Sequence, residues 1–354
     1  MPVAKWSATL LINAALAALV AAAAPSSPRL SDRAEYEYSG RHGFEANCPN
    51  SIYCYRVLVP MLLERVPVDP QLRWRAHQWL MHTGTGTIVS IAAAPIASPF
   101  MAATVLQLSY PFAFTAYDPF TADPMVFAIA ALTLYLWLSD RPLAFAAIAA
   151  LGVFVKETVA LLASATAIAA LLSGRPWRWR WWIPAAAAWL LLLAFHWYMD
   201  TYYGWGIAKN PAADFAGGSW LALWWRNNPS LTRKALMLFA PFGFGWVFAA
   251  LGYRYATAPF RQLALGAALP IAALVYVQTP ERALGNAFFV VVPLAAAFLS
   301  RARPAAAWCA AITNGLVTAK IGLSTTWLPS SSILILPAAL AAAWAIASAR
   351  RQSA

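Results

Sequence analysis

Apolar runs of about 17–20 residues recur from one end of the chain to the other, and this recurrence constrains its fold more than any other feature. Each run has the length an α-helix needs to cross the hydrocarbon core of a bilayer. Composition points the same way. Of 354 residues, 61% are hydrophobic and only 11% charged, and the mean hydropathy is +0.59, whereas soluble domains carry roughly 25% charged residues. The sequence reads as an all-α polytopic membrane protein, a single transmembrane domain over 1–354, and a soluble fold is excluded on these grounds.

The runs fall at 7–24, 78–96, 100–117, 124–139, 142–155, 158–173, 181–199, 235–252, 262–278, 284–300, 304–322 and 331–349. The pair 142–155 and 158–173 also fits one long helix, so about 10–13 crossings are expected. The first run reads as a retained helix, with a cleaved signal peptide ending at AAAAP as the alternative. Counting from Lys5, the Arg-rich connections SDRP, SGRPWRWRWW, GYRYATAPFRQ, SRARP and ARRQSA fall on the cytoplasmic side, as the positive-inside rule requires. Of the 13 carboxylates, only Asp140 falls on that side. The net charge of +12 thus suits anionic lipid and phosphate-bearing substrates, with no basic-aromatic module for nucleic acid.

The polar stretch 25–76 is the first external loop, and 200–234 a second. Asp32, Glu35, Glu37 and Glu45 crowd the first, and a carboxylate beside a membrane can take a proton from an acceptor hydroxyl. Asp32 leads the DRAEYEY run, with Glu35 or Glu37 able to replace it and Tyr36 between them. A solvated acidic loop is the plainer reading. Amphipathic stretches at 55–66 and 70–82 suggest helices lying on the membrane. Cys48 and Cys54 flank PNSIY, a spacing that permits a disulfide in an oxidising compartment.

Further external features carry charge. YDPFTADP enters the run MVFAIAALTLYL, placing Asp118 and Asp123 where carboxylates cap orphan helix amides or face a cavity. In GVFVKETVALLA, Lys156 and Glu157 interrupt about thirty apolar residues, the mark of a site or of a snorkelling pair. Lys156 suits a phosphate as a compact charge. Glu281 and Arg282 follow Pro280 in QTPERALGN, where Arg282 can grip an anionic head group or merely anchor a helix, and Arg56 in YRVLVPMLL adds a cation. His42, His77, His82 and His196 make no metal constellation, and no nucleotide fingerprint is present. TGTGT at 83–87 reads as close helix packing, and the 18 tryptophans as interface anchors.

Taken in order, an acidic external loop after the first span, YRVLVPML, the DP turn, the KE junction and the late ER turn resemble the C-type (GT-C) glycosyltransferases over roughly residues 1–300. That resemblance implies a GT-C-like fold with membrane-lying helices in the first loop, and transfer of a sugar from a polyprenyl-phosphate donor to an acceptor hydroxyl. It assigns the base to Asp32, with Glu35 beside it, and substrate binding to Tyr36, Arg56, Asp123, Lys156, Glu157, Glu281 and Arg282. The scheme requires no cofactor or metal, although an acidic loop leaves room for a divalent ion. The chain is shorter than that pattern and has no soluble C-terminal domain. Its Ala- and Arg-rich usage suggests a bacterial inner membrane with the active face in the periplasm. A transporter or flippase for a lipid-linked or small polar substrate, or a scaffold subunit, stands as the alternative.

Overall fold

The computed structural model describes residues 3–25, 31–45, 55–174, 176–204, 230–274, 280–323 and 328–352, and among them every regular element is a helix. Four helical segments, Trp6–Ala23, Trp179–Tyr203, Pro304–Leu323 and Ser331–Ala349, are long and apolar enough to cross a membrane. Prolines set many of the starts, since a helix's first turn loses nothing by lacking an N–H. They open α4 (Pro70–Ala93), α5 (Pro99–Gln107), α6 (Tyr110–Tyr117), α7 (Asp123–Leu138) and α8 (Pro142–Gly152). At α4 the Asp69 carboxylate also accepts from Gln71 N at 2.9 Å and Leu72 N at 3.2 Å.

Helix α1 (Val3–Ala23) packs on α4 and α5, and α4 packs on α7. Polar side chains inside this group join it. Gln107 Nε2 donates to Asn13 Oδ1 at 3.1 Å and to the His82 carbonyl at 3.0 Å. His82 meets Gln78 and Thr115, each at 2.8 Å. At Gly86, in the TGTGT stretch, a Cβ would overlap the side chains of Asn13 and Gln107, so close packing there needs glycine.

The second half of the chain supplies α9 (Thr158–Leu172), α10 (Trp182–Tyr203), α11 (Leu231–Phe239), α12 (Gly245–Gly252), α13 (Ala258–Leu274), α14 (Pro280–Gly285), α15 (Phe288–Leu299), α16 (Pro304–Leu323) and α17 (Ser331–Gln352). Every residue of α15 is buried, and α12 lies so close to it that a Cβ on Gly252 would overlap the Leu294 carbonyl. Gly266 plays the same part where α13 crosses α9 at Ala165 and Ala169.

Several sequence expectations are revised. The run 100–117 is two helices, because the chain breaks at Leu108–Ser109 and Pro111 starts a new one. The run 235–252 divides around Pro241 and Gly243, whose φ of +55° suits glycine. The run 284–300 begins at Phe288, after the separate short helix α14. The segments 142–155 and 158–173 are distinct helices, α8 and α9, separated by the turn 153–157. The stretch 70–82 does not lie on the membrane as a separate helix: it is the first part of α4, and Arg73, Trp74, His77, Gln78 and His82 are buried in the bundle. The loop helices are α2 (Ser31–His42) and the short α3 (Leu58–Glu64), which pack on each other. Arg73 on α4 forms an ion pair with Glu64, tying α3 down.

Candidate functional site

The residues that carry charge into apolar sequence meet at one place. Lys156 and Glu157 occupy the turn between α8 and α9, and that turn also accepts a hydrogen bond from Leu58 N to the Phe154 carbonyl at 3.1 Å. The segment entering α3 is thereby held against it, bringing Arg56 to Glu157. Arg56 donates through Nη2 to Oε1 at 2.7 Å and through Nε to Oε2 at 3.2 Å, a two-pronged pair. Lys156 turns the other way. Its Nζ lies 2.5 Å from Asp123 Oδ1 at the start of α7, and Arg282 Nη2 on α14 lies 2.7 Å from Asp123 Oδ2. Arg282 also sits over the Phe114 ring, 4.7 Å from its centroid.

Neither simple expectation for these acids and bases holds. Asp123 does not cap amides; both of its oxygens are engaged by cations. Lys156 and Glu157 do not pair with each other, because adjacent residues at a helix start point in different directions. Asp118 is the buried residue that closes α6, its backbone N–H donating to the Phe114 carbonyl, rather than a cap at the start of α7.

Tyr36, only 1% exposed, completes the cluster. It comes from α2, bonds to Arg56, and lies within the electrostatic reach of Asp123 and Arg282. Burial raises its phenol above the ordinary value, and the Arg56 guanidinium only partly opposes this, so Tyr36 stays protonated. Partial burial works against the Glu157 charge, but Arg56 outweighs it and holds the carboxyl at about 2. Arg56 is correspondingly raised: burial disfavours its charge and Glu157 overcomes that. Burial lowers Lys156, with Asp123 opposing.

Two cations on one carboxylate leave the Lys156–Asp123–Arg282 group with one positive charge in excess, beside a neutral Arg56–Glu157 pair. Such a group can receive an anion: a phosphate oxygen can replace or share Asp123 as the partner of Lys156 and Arg282.

Other expected residues sit around this centre. Asp32 lies on α2 with its side chain outside the described residues, and Glu35 is half-buried one position before Tyr36. Glu37 is held in ion pairs by Arg33 at 2.8 Å and Arg41 at 3.4 Å on the same helix. Glu281 is half-buried in the first turn of α14. Cys48 and Cys54 lie outside the described residues, as does 205–229 of the second loop. No group of three His, Cys, Asp or Glu close enough to hold a metal occurs among the described residues.

One polar group escaped the sequence reading. Tyr55, next to Arg56, donates its hydroxyl to Asp200 near the end of α10 and stacks on His196 with ring centroids 4.1 Å apart. The signal was faint, since in the sequence Asp200 is a lone carboxylate closing an apolar run. Comparison with family models, curated proteins and solved structures gave no match for this chain.

Proposed function

We propose that this protein is a membrane glycosyltransferase that takes a sugar from a polyprenyl-phosphate donor and passes it to an acceptor hydroxyl at the external face of a bacterial inner membrane. One observation carries the reading: Tyr36, Arg56, Asp123, Lys156, Glu157 and Arg282, from five separate segments of a charge-poor chain, form one cationic cluster. Charges in an apolar protein are costly and are kept where they work or pair. A GT-C-like arrangement of about 10–13 crossings belongs to this proposal, with the shorter apolar helices spanning in tandem.

The donor lies with its lipid among the helices and its phosphate on Lys156 and Arg282. As the acceptor oxygen attacks the anomeric carbon, the bond from that carbon to the phosphate oxygen breaks and its electron pair stays on the phosphate. Lys156 and Arg282 stabilise the charge that develops there. A single displacement inverts the anomeric carbon. Asp32 or Glu35 on α2 is placed by the resemblance to accept the acceptor's proton.

The test uses the full chain in nanodiscs with a panel of labelled polyprenyl-phosphate sugars. Transfer or hydrolysis of at least one donor, lost in Lys156→Met and Arg282→Met, is expected. A chain that binds and turns over no member of the panel is no such enzyme. A transporter draws on another observation, the buried polar group of Asn13, Gln78, His82 and Gln107 inside the bundle, and substrate uptake into proteoliposomes without turnover is its signature.

A further inference from the structure

A cleft of about 540 Å³ lies between the first external loop and the end of α10, its walls including Arg41, Phe44, Met61, Glu64, Arg65 and Tyr203. Helices α2 and α3 approach so closely here that a Cβ on Gly40 would overlap the Pro60 carbonyl, which fixes these two walls against each other. The carboxylate of Glu64 is already engaged on both oxygens, Oε2 by Arg73 and Oε1 by Arg41 at 3.7 Å. Arg41 also reaches Glu37 at 3.4 Å, but Arg33 holds that carboxylate at 2.8 Å. Both Arg41 contacts are longer than the roughly 2.7–2.9 Å of a charge-assisted hydrogen bond. The Arg65 guanidinium makes no ion pair or hydrogen bond among the described residues. Arg33, Arg41, Arg65 and Arg73 thus share only Glu37 and Glu64, four charges against two, and the excess faces the cleft. Tyr203 ends the segment Trp179–Tyr203, which is long and apolar enough to cross a membrane. Trp197, Tyr198 and Tyr202 are exposed in its last two turns, and such residues settle at membrane–water boundaries. Leu62, Val66 and Val68, in and just after α3, are exposed as well, as on a helix that sinks apolar side chains below the head groups. These features set the cleft at the depth of the lipid head groups.

We propose that this cleft binds an anionic phospholipid by its head group. Arg41 and Arg65 donate guanidinium hydrogen bonds to the phosphate oxygens, and Phe44, Met61 and Tyr203 take the glycerol and the first methylenes of the chains. A zwitterionic lipid would bring its own ammonium against the two arginines, so the site selects lipids of net negative charge. Tyr36 lies one turn before Gly40 on α2, so a lipid held here also steadies the helix that carries Tyr36 into the cationic cluster. The proposal stands on the charge and depth of the cleft and holds whether or not the protein transfers a sugar.

The full chain, delipidated in a neutral detergent, is titrated with dioctanoyl phosphatidylglycerol, dioctanoyl phosphatidylcholine and inorganic phosphate, and bound molecules are counted by native mass spectrometry. Phosphatidylglycerol is expected to bind at least about tenfold more tightly than phosphatidylcholine. Arg65→Gln removes a guanidinium with no partner to lose, so the fold is untouched, and it should weaken phosphatidylglycerol about tenfold. Adding Arg41→Gln should weaken it further by a similar factor. Arg141 and Arg261 are exposed elsewhere on the chain, and the double variant Arg141→Gln/Arg261→Gln is the charge-matched control. It should leave the affinity within roughly twofold of wild type. Equal losses in the two double variants would mean that net charge alone attracts the lipid, and the site would fall. Phosphatidylcholine binding as well as phosphatidylglycerol, or neither binding, overturns it too. Full displacement of the lipid by low millimolar inorganic phosphate would make the cleft a phosphate site and end the lipid assignment.

Discussion

Arg282 and Asp123, 159 positions apart in sequence, meet with 2.7 Å between Nη2 and Oδ2. Lys156 takes the other oxygen, so one carboxylate pins the short helix α14 and the α8–α9 turn to the start of α7. Removing that charge leaves two mostly buried cations facing each other. Asp123→Asn is expected to cost about 3–5 kcal/mol, the range for breaking a buried pair from one side. Asp123→Asn combined with Lys156→Met should recover part of it, because only Arg282 then remains unpaired. Thermal unfolding in one detergent across the four corners of the cycle decides; additive losses would mean the two residues do not depend on each other.

The Arg56–Glu157 pair predicts a specific acid response. The Glu157 carboxyl is depressed from an ordinary 4.5 to about 2, so its stabilising contribution is complete above about 4.5 and disappears as pH falls towards 2. Between pH 8 and 5 this pair should contribute nothing to any change in melting temperature. Glu157→Gln should lower the midpoint at pH 7 and flatten the slope below pH 4.5. An unchanged acid limb in that variant would show that the pair is not formed in solution.

Helix α13 approaches α9 through Gly266, where a Cβ would overlap the Ala165 carbonyl and the Ala169 amide. Backbone cannot give way as a flexible side chain can, so Gly266→Val must push the helices apart, at about 1–3 kcal/mol. Gly84, with nothing within 4 Å of its would-be Cβ, is the control: Gly84→Ala should be neutral or stabilising, since alanine favours the helix. Equal melting temperatures for Gly266→Val and wild type would disprove the close crossing.

Much of the cluster was readable in the sequence for a physical reason. In a chain only 11% charged, a Lys-Glu inside thirty apolar residues must pair or work, and Arg56, Asp123 and Arg282 each stood out separately as substrate-binding candidates. Which would pair with which was not readable. Lys156 and Glu157 separate because the turn sends them to different elements, and that turn is fixed by the distant contact between Leu58 and Phe154. The helix breaks at Leu108–Ser109 and around Gly243 had their signals in Pro111, Pro241 and Gly243, but unbroken hydrophobicity outweighed them. Asp200 was missed because its meaning depends on Tyr55, 145 residues away.

The two histidines of α4 should respond oppositely to replacement. His82 bonds to Gln78 and Thr115 at 2.8 Å each, so it links α4 to α6. His77 is 6% exposed, yet neither of its ring nitrogens has a hydrogen-bond partner among the described residues. A buried polar group without a partner costs about 1–3 kcal/mol, and an apolar group of similar shape avoids that cost. His77→Leu should therefore hold or raise the melting temperature. His82→Leu should lower it, because it breaks the link from α4 to Thr115 on α6 and leaves the Gln78 amide without its partner inside the bundle. A marked loss in His77→Leu would point instead to an ordered water bonded to that ring, and amide exchange along residues 73–81 of α4 would then rise with it.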